Sequence, residues 1–303
     1  MSYLHRYLGK GVRVLNEAPE LGLFALFKPS GSVSHRDTAA ANVRCLIDAT
    51  QDGPIHLLHR LDRDTSGVVL VATDPLVAAG VREAFRTRNT TKIYKALAFG
   101  NYSAPAKLPT LWADQYVTPG YAGLRVPRVF PGSAQSAQGT GSQSKGQGKG
   151  KGQGKGQGKG QGGAAGAAQK PWQAQSPDCK QAETIVISAE PQWMALDPKA
   201  GSGMEKTPAT LFTLSPQTGF THQLRLVLQA RGHPIVGDNM YGNFVLHKHL
   251  QAGRPSRMFL HALALEVMFE AGGETLSFLA STEQLDEHRE DGWRAALRGA
   301  VIG

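Results

Sequence analysis

The stretch His59–Gly67, HRLDRDTSG, sets one acid, Asp62, between two arginines and ends in Thr-Ser-Gly. An apolar run, Val68 to Ala72, follows at once. A short apolar run bounded by turn residues reads as a buried strand. The stretch therefore puts a carboxylate at the lip of a strand, with Arg60 and Arg63 on either side. A nearby cation favours the ionised form of a carboxylate. An ionised carboxylate suits a nucleophile or an electrostatic stabiliser better than a general acid. Taken alone, the pattern also describes a turn cap or an exposed ion pair, which contributes little. Other parts of the chain have to decide between these readings.

To either side, LGLFALFKPSG (Leu21–Gly31) reads as an apolar strand closed by a Pro-Ser-Gly turn, and GVVLVATD (Gly67–Asp74) as a second strand. PLVAAGVREAFRTRN (Pro75–Asn89) has Val77, Val81, Ala84 and Phe85 at helical spacing. TKIYKALAFG (Thr91–Gly100) and ATLFTLSP (Ala209–Pro216) return to strand character. THQLRLVLQARG (Thr221–Gly232) reads as a helix, with Leu224, Val227 and Leu228 as its apolar stripe and Gly232 as its stop. On that helix Arg225 sits beside the stripe and shares a face with His222, three residues before it. GHPIVGDNMYG (Gly232–Gly242) is punctuated by Gly and Pro and reads as a loop that brings backbone near a ligand. Strands and helices mix without a regular βαβ repeat, so an α+β fold is expected.

The chain has 303 residues, 41% of them hydrophobic, enough for one large domain with a real core. No apolar run is long enough for a membrane helix, so no membrane partner is expected. Two cysteines, Cys45 and Cys179, lie far apart, which excludes a disulfide scaffold and a cysteine-rich zinc site. His56 and His59 are three apart, but no third ligand follows at a metal-site spacing, so they read as structural. No metal or cofactor is expected. The basic start, MSYLHRYLGKGVRVLNE, lacks a secretory apolar segment. A cytoplasmic location is expected, with organellar targeting left open.

The net charge is +9, but five of those charges, Lys145, Lys149, Lys151, Lys155 and Lys159, sit in one Gly/Gln-rich segment. The remainder carries +4 and is only mildly basic. Residues 131–170 have too few apolar side chains to offset chain entropy and are expected to form a disordered insertion. The insertion reads as a tolerated surface loop, or as a cationic tether whose lysines contact phosphates. Motifs on both sides of it serve one site. The expected organisation is a single catalytic domain over 12–287, interrupted at 131–170, with terminal extensions 1–11 and 288–303.

HRLDRDTSG closely resembles the signature of the RluA-type RNA pseudouridine synthases. FKPSGSVSH (Phe27–His35), KIYKALAFG (Lys92–Gly100), TGFTHQLR (Thr218–Arg225) followed by GHPIVGDNMYG, and LHALAL (Leu260–Leu265) resemble further family segments in the same order. The resemblance covers most of residues 12–270 outside the insertion. It implies a pseudouridine synthase fold: a mixed, largely antiparallel sheet with flanking helices. It implies isomerisation of specific uridines in tRNA or rRNA, by a monomer that needs no cofactor.

Residue by residue, the resemblance makes Asp62 the attacking aspartate and Arg225 its partner in the pocket. It makes Tyr94 the platform for the flipped uracil, Arg60 the filler of the vacated space, and Leu224 an apolar lining. Two positions depart from the family pattern. Phe220 stands where Arg is usual, which bears on a phosphate contact or substrate choice, and Phe27 stands where Asn is common. The alternative is a catalytically inactive RNA-binding protein on the same fold. A carboxylate glycosidase is disfavoured because the nearest second acid, Asp64, is too close in sequence to oppose Asp62 across a sugar.

Overall fold

The computed structural model describes residues 8–34, 45–46, 55–103, 107–119, 126–132, 134–136, 179–197, 205–250 and 257–282. In chain order the elements are β1 (Arg13–Ala18), β2 (Leu23–Lys28), β3 (His56–Leu57), β4 (Ser66–Ala72), α1 (Pro75–Arg86), β5 (Thr90–Phe99), β6 (Thr110–Val117) and β7 (Arg128–Phe130). They continue with β8 (Ala134–Ser136), β9 (Cys179–Ala195), β10 (Lys206–Pro216), α2 (Gln223–Ala230), α3 (Phe244–His249), β11 (Leu260–Ala271) and β12 (Glu274–Ser281).

Among the described residues the strands form one sheet in the order β1-β2-β4-β11-β5-β10-β9-β6-β7, with β12 on β11, β3 on β4 and β8 on β6. The sheet is mixed and largely antiparallel. Among these pairings β4 with β11 is the parallel one, with His261 opposite Ser66 and Ala262 opposite Gly67.

The apolar patterns explain these elements. β4, SGVVLVA, is buried along its whole length, as a central strand covered on both faces should be. In α1, Asp74 caps the first turn by accepting from the N–H groups of Leu76 and Val77 at 2.8 and 3.0 Å. Its buried face, Val77, Ala78, Val81 and Ala84, packs against β4 and β11. Burying each valine contributes about 1.5–3 kcal/mol. On the other half of the sheet, the fully buried Trp112 and Phe212 pack with Leu224, Val227 and Leu228 of α2 in one core.

Two expectations change. The turn after Asp62 is not Thr-Ser-Gly: Thr65 N–H donates to the Asp62 carbonyl at 3.1 Å, and Ser66 and Gly67 already belong to β4. The reason lies at Gly67, whose φ is +123°. A Cβ there would sit 2.1 Å from the Ala262 carbonyl oxygen, so only glycine lets β11 approach so closely. The insertion, read as starting at residue 131, also gains structure at its start, because 134–136 pair with β6 from Ser136 opposite Thr110 to Ala134 opposite Trp112. Residues 137–178, including the five lysines, lie outside the described residues.

Candidate active site

The Asp62 turn is held from below by the loop that follows β2. Lys28 is fully buried, and its three ammonium protons meet three carbonyls: Pro29 at 3.1 Å, Ser32 at 2.5 Å and Arg63 at 2.9 Å. Burial lowers its pKa to about 7, with Asp64 and Asp62 pulling the other way. Ser30 Oγ donates to the Asp64 carbonyl at 2.7 Å, and Gly31 N–H donates to the Arg63 carbonyl at 2.9 Å. Ser34 Oγ donates to the Leu61 carbonyl at 3.1 Å. The Lys-Pro-Ser-Gly and Arg-Leu-Asp-Arg-Asp segments are thus one clamped unit, in which buried polar groups find partners.

Above this unit lies a cavity of about 690 Å³, a size common for small-molecule sites. Arg60, Asp62, Tyr94, Leu224 and Arg225 all line it, although they come from a turn, a strand and a helix far apart in the chain. Tyr94 projects from β5 and is half-buried. Burial and the Asp62 charge raise its phenol, so it stays protonated at neutral pH. Leu224 is buried in the core beneath α2, whereas Arg60 is exposed at the rim.

The cations flanking Asp62 in sequence are not the ones that meet its carboxylate. Arg63 is exposed and pairs with Asp64 at 3.1 Å. Neighbours on a turn diverge, so adjacency in sequence is no guide to contact. The guanidinium at the Asp62 carboxylate is that of Arg225, Nη1 to Oδ2 at 3.4 Å.

Arg225 is itself buried, where an unpaired charge would be costly. The residue that meets this need is Asp238, which the sequence reading did not single out. It is fully buried in the Gly232–Gly242 loop. It accepts from Arg225 Nε at 2.7 Å and Nη2 at 2.9 Å, and from the N–H groups of Met240 and Tyr241 at 2.8 and 3.0 Å. Burial opposes both charges, but the bidentate pair outweighs it, raising the Arg225 pKa and lowering that of Asp238. The signal in the sequence was a lone acid in an otherwise turn-forming loop.

His222 sits just before α2 with a φ of +57°. Its Nδ1 lies 2.9 Å from Tyr241 Oη, and its Nε2 is 3.9 Å from Asp62 Oδ2. Burial lowers its pKa, against the opposite pull of Asp62, which favours a neutral ring. His59 serves the structure instead. Its Nε2 accepts the Leu70 N–H at 3.0 Å, and burial lowers its pKa to about 3. The ring is therefore neutral, and that nitrogen is occupied.

The cavity thus offers a carboxylate backed by a charge-balanced guanidinium, an aromatic wall and a cationic rim. That set can hold a flat, uncharged ring and present a carboxylate beside it.

The chain is similar to "Ribosomal large subunit pseudouridine synthase C" of Haemophilus influenzae, at 28% identity over 76% of this chain and 52% of that protein. The protein of the same name from Escherichia coli K12 is 27% identical over 86% of this chain and 64% of its own length. The chain thus spans roughly half to two thirds of these curated relatives. Among solved structures, "Human RNA Pseudouridylate Synthase Domain Containing 1" aligns with a TM-score of 0.54 at 20% identity, over 89% of this chain and 82% of that one. "Human RNA Pseudouridylate Synthase Domain Containing 4" aligns with a TM-score of 0.52, also at 20% identity, over 91% and 88%. These two matches establish the fold. A family model described as RNA pseudouridylate synthase matches residues 22–230, a span that holds both the Asp62 turn and the Arg225 helix, and the chain belongs to that family.

Proposed function

We propose that this chain isomerises specific uridines in RNA to pseudouridine, with Asp62 as the attacking carboxylate. The observation that carries the reading is the Asp62 carboxylate facing the cavity, 3.4 Å from an Arg225 guanidinium whose charge Asp238 already balances. Arg225 can then hold and orient Asp62 without demanding its whole charge.

The reaction breaks the N1–C1′ bond, turns the uracil and rejoins it through C5, whose proton leaves while N1 gains one. Nothing is oxidised or reduced, and no cofactor is required. Two routes use the carboxylate: addition to C1′, or assistance to glycal formation. The base must first leave its stack, which costs a few kcal/mol. Tyr94, kept as a neutral phenol, supplies an aromatic face for it, and Leu224 an apolar lining. Arg60 at the rim is suited to enter the space left in the RNA. These are roles for a monomer in the cytoplasm, with the lysines of the insertion as a cationic tether for phosphates.

The relatives' names specify the ribosomal large subunit, so large-subunit rRNA is the first substrate to test and tRNA the second. The presence of Asp62, Tyr94 and Arg225 on one cavity argues against a protein that only binds RNA. The test is pseudouridine mapping in rRNA and tRNA from cells with and without the gene. A site lost with the gene and restored by the purified protein supports the reading. Identical maps, and no conversion of either RNA by the protein, overturn it.

A further inference from the structure

We infer that Phe220 is a second stacking platform, built to take the base of a nucleotide next to the flipped uridine. This rests on the RNA reading above and adds a specificity-determining subsite to it.

The ring is half-buried and lines the cavity. One side is stacked on the buried Tyr116, with centroids 4.7 Å apart and planes 20° apart. Tyr116 is fixed in turn, since its Oη donates to the Thr221 carbonyl at 3.2 Å. The Phe220 backbone is fixed as well: its N–H donates to Gln223 Oε1 at 3.1 Å. Gln223 is buried and also bonds Thr218 Oγ1 at 2.8 Å and the Glu183 carbonyl at 3.1 Å. An aromatic ring at a cavity wall, held by backbone and stacked from behind, loses little freedom when a base lands on it.

Two neighbours suit that base. Lys180 is exposed and carries its ammonium 5.8 Å from the ring centroid, where it can meet a phosphate. Gly219 leaves open space, with nothing within 4 Å of where a Cβ would stand. Position also fits. Phe220 is two residues from His222, whose ring faces Asp62, and two residues of chain reach at most about 7 Å. Phe220 and Asp62 line the same cavity, so a base on the ring and a uridine at the carboxylate would share one space. A ring that only filled the core would not line the cavity, as this one does with the Lys180 ammonium over it.

The experiment uses the full chain and a short stem-loop RNA around the mapped uridine. The nucleotide on each side of that uridine is replaced in turn by an abasic one. kcat and KM are measured for wild type, Phe220→Ala and Phe220→Trp, with melting temperatures alongside. Phe220→Ala should raise KM by about 5- to 100-fold, the worth of one base stacked on an aromatic ring, with a much smaller fall in kcat. Phe220→Trp should keep KM near wild type. One of the two abasic RNAs should raise the wild-type KM similarly and add nothing in Phe220→Ala. If both abasic RNAs affect wild type and Phe220→Ala by equal factors, the platform is refuted and Phe220 is packing alone. If wild type converts no RNA, the proposed function itself falls, and the subsite with it.

Discussion

Asp238 holds Arg225 through two hydrogen bonds, of 2.7 and 2.9 Å, and so leaves Nη1 to reach Asp62 at 3.4 Å. Removing Asp238 would strand a buried guanidinium and shift the group that orients Asp62. Asp238→Ala should lower stability by about 3–5 kcal/mol. Urea unfolding of the two proteins measures this directly.

The same pair gives a pH dependence with a definite sign. Burial disfavours the Asp238 charge, but Arg225 and the backbone N–H groups of Tyr241 and Met240 more than compensate, so the folded pKa lies below the unfolded one. The stabilisation is complete above the unfolded value near 4 and is lost as pH falls through the folded value. The stability gap between wild type and Asp238→Asn should therefore be constant near neutrality and close below about pH 4. A gap that persisted unchanged through acid unfolding would contradict the pairing.

Lys28 anchors the Asp62 turn by meeting three carbonyls. Lys28→Met keeps the length of the side chain and strands those acceptors. It should cost about 1–3 kcal/mol in stability. Because the Arg63 carbonyl is one of the three, turnover should fall in the protein that remains folded, which single-turnover kinetics would show.

Gly67 carries a positive φ and meets the Ala262 backbone with no room for a Cβ. Gly67→Ala should cost roughly 2–4 kcal/mol, from strain and clash together. Thermal unfolding is the check, and a near-neutral result would mean that β4 and β11 can separate there.

Deleting residues 141–163 removes five lysines. If they contact phosphates, the slope of log affinity against log salt should become shallower by up to about 3–4, with the melting temperature unchanged. An unchanged slope makes the segment a passive loop.

Much of the fold was legible because apolar runs and helical spacing are local. β2, β4, α1, β5, β10 and α2 lie where the pattern put them. Arg225 was legible as a residue beside an apolar stripe, but its partner Asp238 was not. Thirteen residues and a turn separate them, and the demand on Asp238 comes from burial, which a sequence does not display. The turn after Asp62 was placed too late for a similar reason. Gly67 looks like a turn glycine, yet it serves the close approach of β11, a strand nearly two hundred residues downstream. The assumption that Arg63 attends Asp62 failed because a tight turn sends adjacent side chains apart.

The proposed function stands or falls on Asp62 performing the chemistry. The measurement that decides it is tritium release from RNA labelled at uridine C5, by wild type and Asp62→Asn under single-turnover conditions, with RNA affinity measured on both. Rejoining through C5 expels that hydrogen. Wild type should release tritium, Asp62→Asn should release none, and the two should bind RNA comparably. Release by Asp62→Asn at the wild-type rate would contradict the role given to this carboxylate.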